Sequence, residues 1–190
     1  IEDGRAIDAA HAVEIYNHGC AVENDRGDGW YLLDQMLTEG HRLTAFATDD
    51  AHFKGPDYFG GWVHVKAESL DPDALLESLK KGLYYSSMGP QLHAIEMNGK
   101  EISIACSPVD TITVVCGTSR SAVRTGKAIT DASFDLSKLE KGWLLKKTSP
   151  WFRVTVIDGA GKRAAAAWSA AESAARSAAW SAAGSAARSA

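Results

Sequence analysis

The chain has 190 residues, of which 45% are hydrophobic and 23% charged, which is enough apolar material for one globular domain or two small ones. Its formal charge is −4, and no basic run is longer than Lys146–Lys147, so a nucleic acid is disfavoured as the main partner. Three cysteines without CxxC spacing argue against a disulfide framework and a cysteine zinc site, and we expect a cytoplasmic protein. No apolar run reaches membrane-spanning length, so we expect no membrane partner.

Short apolar strands alternate with helices between Ala12 and about Gly89, a pattern typical of parallel α/β folds. It predicts strands over residues 12–16, 43–48, 61–67 and 83–86. It also predicts helices over residues 30–39 and from Asp71 to Gly82. We therefore expect residues 1–91 to form an α/β domain.

Beyond Pro90 the helical pattern gives way to strands. The pair Asn98-Gly99 lies between two β-rich runs and predicts a hairpin, because both residues tolerate positive φ. Further β-rich runs cover residues 111–116 and 152–157. We expect a small all-β domain over residues 92–163, either sandwich-like or an open barrel.

Residues 164–190 contain 15 Ala and 6 Ser and repeat a four-residue unit, x-Ser-Ala-Ala. Alanine favours the helix, so the composition predicts a low-complexity helical tail. A period of four drifts against the 3.6-residue turn and leaves no uniform apolar face to bury. A partner-binding helix and an extension without a specific role both remain open.

The strand over residues 43–48 is followed by Asp50 and His52. In a parallel α/β fold the active site lies at this end of the strands. Residues two apart in an extended segment point to the same side, where a carboxylate and an imidazole suit one cation or two adjacent ones. The spacing is weak by itself, and a solvated turn in which Asp49 and Asp50 cap backbone amides is the alternative.

Several blocks of sequence resemble the PHP (polymerase and histidinol phosphatase) family of metallohydrolases, in the subgroup that includes the CehA/McbA-type enzymes. The blocks are VEIYN at 13–17, ATDDAHF at 47–53, GWV at 61–63, YSSMGP at 85–90 and CSP at 106–108. The resemblance implies a distorted (β/α)7 barrel, a TIM-like fold, with a C-terminal β unit. Residues 1–91 would then be the C-terminal portion of the barrel.

The resemblance also implies a cluster of two or three divalent metals, to which Asp50 and His52 contribute the ligands of the family's last motif. Asp and His donors suit Mn, Fe or Zn. The implied reaction is hydrolysis of a small-molecule phosphate or ester by metal-activated water. The family's upstream ligands are not in this sequence, so we expect a fragment that is inactive alone. The alternative is a non-catalytic interaction module built on a degenerate barrel.

Five further residues are candidates for smaller roles. Asp49 would orient His52 or cap the turn, and Glu14 would face the barrel mouth or be a paired carboxylate. His18 would approach the metals or face water from a loop. Ser86 and Ser87 would hydrogen-bond a substrate phosphate or belong to a structural turn.

Overall fold

The computed structural model describes residues 2–7, 9–117, 120–139 and 151–169. The chain divides into two compact units, Ile1–Gly89 and Pro90–Ala190. Strands take up 47% of the described residues and helices 20%. Among the described residues, no helix is both long and apolar enough to cross a membrane.

The first unit contains four helices and four strands within its described residues. They are α1 Glu2–Arg5, β1 Ala12–Asn17, α2 His18–Asn24, α3 Trp30–Thr38, β2 Thr44–Thr48, β3 Trp62–Val65, α4 Pro72–Lys80 and β4 Tyr84–Ser87. Helix α3 buries Leu33, Met36 and Leu37, the i, i+3, i+4 stripe of an amphipathic helix. Asp71 caps α4 by accepting hydrogen bonds from the backbone N–H groups of Asp73 and Ala74.

The predicted (β/α)7 barrel is wrong. Among the strands that the structure describes, only β1 and β2 pair in parallel, whereas β3 and β4 pair antiparallel. The backbone N–H of Lys66 donates to the carbonyl of Leu83, 2.8 Å away, so the chain leaving β3 lies beside the chain entering β4. Helix α4 is therefore an excursion between two arms of a hairpin, not a crossover between parallel strands. The TIM-like description fails for the same reason.

The second unit is an antiparallel sheet centred on one long strand. Its elements are β5 Leu92–Asn98, β6 Glu101–Cys116, β7 Arg120–Asp135, a 3₁₀ turn Leu136–Lys138, β8 Trp151–Ile157 and β9 Arg163–Ser169. Strand β7 pairs along β6, while β5 pairs with the first part of β6 and β8 with its last part. The hairpin predicted at Asn98-Gly99 is confirmed, since Asn98 pairs with Glu101 and Gly99 has a φ of 59°.

The expected helical tail is wrong for its first residues. Strand β9 pairs antiparallel with β8. Arg163 lies opposite Ile157 at one end of the ladder, and Ser169 lies opposite Trp151 at the other. The residues of β9 from Ala164 to Trp168 are buried. The Trp168 ring lies 5.5 Å from the ring of Phe152. Alanine's helix preference amounts to a few tenths of a kcal/mol per residue, and strand pairing and burial outweigh it. Residues 170–190 of the expected tail lie outside the described residues.

A pair of truncations tests the role of β9. A chain ending at Arg163 loses the strand, whereas a chain ending at Ser169 keeps it. We expect the shorter chain to unfold at a midpoint lower by more than about 5 °C, because it loses a ladder of backbone hydrogen bonds and a buried tryptophan. Thermal unfolding followed by circular dichroism measures the difference. Equal midpoints would show that β9 adds nothing to the fold.

Candidate functional site

The carboxyl ends of β1 and β2 lie side by side, with Asn17 paired to Thr48. The side-chain amide of Asn17 donates to Glu14 Oε2 and to Asp50 Oδ2, each 3.3 Å away. Thr48 Oγ1 also donates to Glu14 Oε1. One amide thus holds two exposed carboxylates together at the end of a parallel strand pair.

Asp49 closes the loop that runs from the end of β2 to the start of β3. Its carboxylate accepts hydrogen bonds from the backbone N–H groups of Phe59, Gly60 and Gly61, at 2.5, 2.8 and 2.7 Å. Desolvation raises the pKa of Asp49, but these three hydrogen bonds and the nearby His18 lower it, and the net result is a pKa below the usual value. Asp49 is therefore a charged clamp on residues 49–61.

His18 forms a second tie to the same loop. Its Nε2 lies 3.2 Å from the carbonyl oxygen of Pro56, which accepts only, so Nε2 carries the proton. Its Nδ1, 2.9 Å from the Tyr16 hydroxyl, then accepts from that group. A Cβ atom on Gly60 would lie 2.1 Å from Nδ1, so the ring packs directly on this glycine. Nε2 is engaged with the loop and Nδ1 with Tyr16 in β1, so neither ring nitrogen is free to bind a metal in this arrangement.

Asp57 ties the loop back to His52. Only 1% of Asp57 is exposed, and its Oδ2 accepts from the backbone N–H of His52 at 2.7 Å. Its Oδ1 is buried and has no hydrogen-bond partner among the described residues. The His52 side chain is exposed. Asp57 therefore fixes the backbone that presents His52 to solvent.

The sequence predicts an extended segment from Asp50 to His52. The structure has a turn there instead. Asp50 has a φ of 51°, in the left-handed region that few side chains adopt. Within the described ranges, no group of three or more His, Cys, Asp or Glu side chains is placed to hold a metal ion. Asp50 and His52 suit Mn, Fe or Zn in donor type, but two donors are fewer than a catalytic cation needs.

Ser86 and Ser87 have structural hydrogen bonds in β4. Both are buried, and Ser86 Oγ donates to the carbonyl of Ala45 at 3.0 Å. Ser87 Oγ accepts from the backbone N–H of Gly89 at 2.9 Å. In this structure their hydroxyls stabilise strand packing and a turn.

Sequence reasoning missed the polar residues that support the turn, namely Asn17, Thr48 and Asp57. Asn17 is the last residue of β1 and Thr48 the last residue of β2, and that shared position at a strand end was a usable signal. Asp57 had no such signal, because its contact with His52 depends on the path of the loop.

The sequence analysis also did not predict the group formed by Trp62, His64 and Tyr85. Trp62 Nε1–H donates to His64 Nε2 at 2.9 Å, and the His64 ring stacks on Tyr85 with centroids 4.7 Å apart. Burial lowers the pKa of His64, which favours the neutral ring that can accept this hydrogen bond.

Cys106 is no nucleophile, since burial and the nearby Asp131 raise its pKa to about 11.

Comparison with family models, with curated proteins and with solved structures found no match to this chain. The resemblance to the PHP family thus depends on the sequence blocks alone and stays a prediction.

The charge on Asp49 makes a pH-dependent contribution to stability. Because its pKa is lower in the folded chain, the unfolded chain takes up the proton first as the pH falls. The contribution is full above the usual carboxyl pKa and is lost as the pH falls through the folded pKa. We expect Asp49→Asn to be less stable than wild type at neutral pH, with the difference shrinking between about pH 5 and pH 2.

Urea unfolding at each pH measures this difference. Glu68→Gln is the matched control, because Glu68 is an exposed carboxylate in the same unit. A gap between wild type and Asp49→Asn that stays constant with pH would contradict the charged clamp.

Proposed function

We propose that this chain is part of a metal-dependent hydrolase similar to the PHP family and contributes Asp50 and His52 as two of its metal ligands. The observation that carries the proposal is the exposed turn of Asp50 and His52 beyond the paired carboxyl ends of β1 and β2. The carboxyl ends of parallel strands are where α/β enzymes bind their ligands.

The neighbouring side chains favour this role. Asn17 donates to Asp50 Oδ2, which orients the carboxylate and leaves Oδ1 for another partner. Asp57 holds the backbone of His52, so the imidazole is presented from a fixed turn. Side chains that orient ligands in this way raise metal affinity.

Two ligands do not hold a catalytic cation, so the proposal places the remaining ligands in residues beyond this chain. When bound, Mn, Fe or Zn lowers the pKa of a water molecule to about 7 and polarises the oxygen under attack. The proposed substrate is a small-molecule phosphate or ester. This chain's own part is to bind and orient, through Asp50, His52 and their supports Asn17 and Asp57.

Titration of this chain with ZnCl₂ or MnCl₂, followed by calorimetry, tests the ligand assignment. We expect weak binding that Asp50→Asn and His52→Ala each reduce at least about ten-fold, because each removes a donor. His93→Ala is the control, since His93 is an exposed histidine in β5. Binding that is unchanged in both turn variants would overturn the assignment.

The reaction is tested on the product of the complete gene. We expect metal-dependent hydrolysis of p-nitrophenyl phosphate or p-nitrophenyl acetate, lost on adding a chelator and in His52→Ala but kept in His93→Ala. Failure of every metal to support hydrolysis would favour the interaction module over the enzyme.

A further inference from the structure

Trp62 and His64 are two residues apart in β3 and lie on the same face of the strand, where their side chains bind each other. The indole N–H of Trp62 donates to His64 Nε2 over 2.9 Å, and the pair is part-buried. The face of the imidazole stacks on Tyr85, the residue directly opposite in β4, with the two rings at 19°. One imidazole therefore contacts both strands and holds the indole of Trp62.

Only the neutral imidazole keeps this arrangement. A tryptophan N–H donates and cannot accept, so Nε2 of His64 is the ring nitrogen without a proton. A proton added to Nε2 turns the acceptor into a donor and sets two N–H groups against each other. Burial lowers the pKa of His64, so the folded chain takes up this proton less readily than the unfolded chain. The hydrogen bond is therefore complete at neutral pH and is lost as the pH falls through the folded pKa.

The surroundings of His64 do not offset a positive charge. Burial is the cause of its lowered pKa, and no charged side chain among the described residues contributes to the shift. Strands β2 and β4 and helix α4 pack on β3. From β4 the titratable group that faces the ring is Tyr85, and β2 carries no charged residue. Lys66, another cation, follows on the same chain segment. The charged residues of α4 are all exposed, namely Asp73, Glu77 and Lys80.

The start of β3 is also an anchor of the loop over residues 49–61. Gly61, next to Trp62, donates its backbone N–H to Asp49 Oδ1 over 2.7 Å. A Cβ atom on Gly61 would lie 2.8 Å from the Tyr16 ring and from a carbonyl oxygen of β2, so this glycine is packed closely against β1 and β2. The indole and the anchor share one short stretch of backbone. Release of the indole therefore removes a restraint from the anchor.

We propose that Trp62 and His64 form an acid-sensitive latch that fixes the start of β3 and, through Gly61, one end of the loop over residues 49–61. The latch is closed at neutral pH and opens when Nε2 of His64 takes up a proton in mild acid. The clamp of Asp49 stays charged in that range, because the pKa of Asp49 is below the usual carboxyl value. Opening therefore loosens the loop without dissolving it.

Nuclear magnetic resonance between about pH 7.5 and pH 5 tests the latch. We expect the shift of the Trp62 indole N–H to titrate with a midpoint below about pH 6.5, the usual value for histidine. We expect the protection of the Gly61 amide against hydrogen exchange to fall at least about five-fold on the acid side. Protection factors are compared because intrinsic exchange itself changes with pH.

Two variants of His64 separate the acceptor from the ring. His64→Gln keeps an acceptor that does not titrate, whereas His64→Phe keeps a ring to stack on Tyr85 but has no acceptor. We expect an indole shift that does not titrate in either, with Gly61 protection at the neutral level in the first and at the acid level in the second. His93→Ala, at an exposed histidine in β5, is the control and keeps the wild-type titration. His18 also contacts the loop but is present in every variant, so the difference from wild type isolates His64.

Either of two results would overturn the latch. One is an indole shift of Trp62 that stays constant over this range, or that titrates in both His64 variants as in wild type. The other is a Gly61 protection that does not change with acid, or that falls equally in wild type and both variants. Metal binding enters none of these measurements, so the latch and the proposed function fail separately.

Discussion

The carboxylate of Asp49 is the constraint on which the rest of the first unit's site depends. It collects three backbone N–H groups at one end of the loop, and a hydrogen bond to a charged acceptor contributes about 1.5–3 kcal/mol. Two bulky residues of the same loop, Phe53 and Phe59, are in the left-handed region, at about 1–2 kcal/mol each. The clamp is of the size needed to offset that strain, and so it fixes the turn that carries His52.

The side chains around Asp49 fall into two groups: some hold the backbone of the loop, and others are exposed to solvent. His18, lying over Gly60, ties the middle of the loop to the start of α2, and the buried Asp57 ties it to His52 within the loop. The carboxylates of Asp49 and Asp57 bind backbone N–H groups, while the side chains of Asp50, His52, Phe53 and Phe59 are exposed.

The strands and helices were predictable where the signal is local. Strand β2 and helix α3 follow from apolar runs and an i, i+4 stripe, and the hairpin at Asn98-Gly99 follows from two residues. Strand direction was not predictable, because the antiparallel pairing of β3 with β4 joins two segments that helix α4 separates in the chain, and no local pattern contains it. The alanines of β9 were misleading for a related reason, since their conformation depends on a partner strand.

For the site, the strand-end position of Asp49, Asp50 and His52 was predictable, but their geometry was not. An acidic residue with a φ of 51° looks the same in sequence as one in an extended segment, so Asp50 was placed on the wrong backbone. Asp57, five residues from its partner, had no sequence signal at all. The roles of these residues depend on the path of the loop, which is a tertiary property.

Amide hydrogen exchange at residues 59–61 tests the central claim most directly. In wild type we predict slow exchange at all three amides, because each donates to Asp49. In Asp49→Ala we predict exchange at least about a hundred-fold faster at these positions, with the β1–β2 ladder unchanged. Equally slow exchange in wild type and variant would contradict the claim that this carboxylate holds the loop.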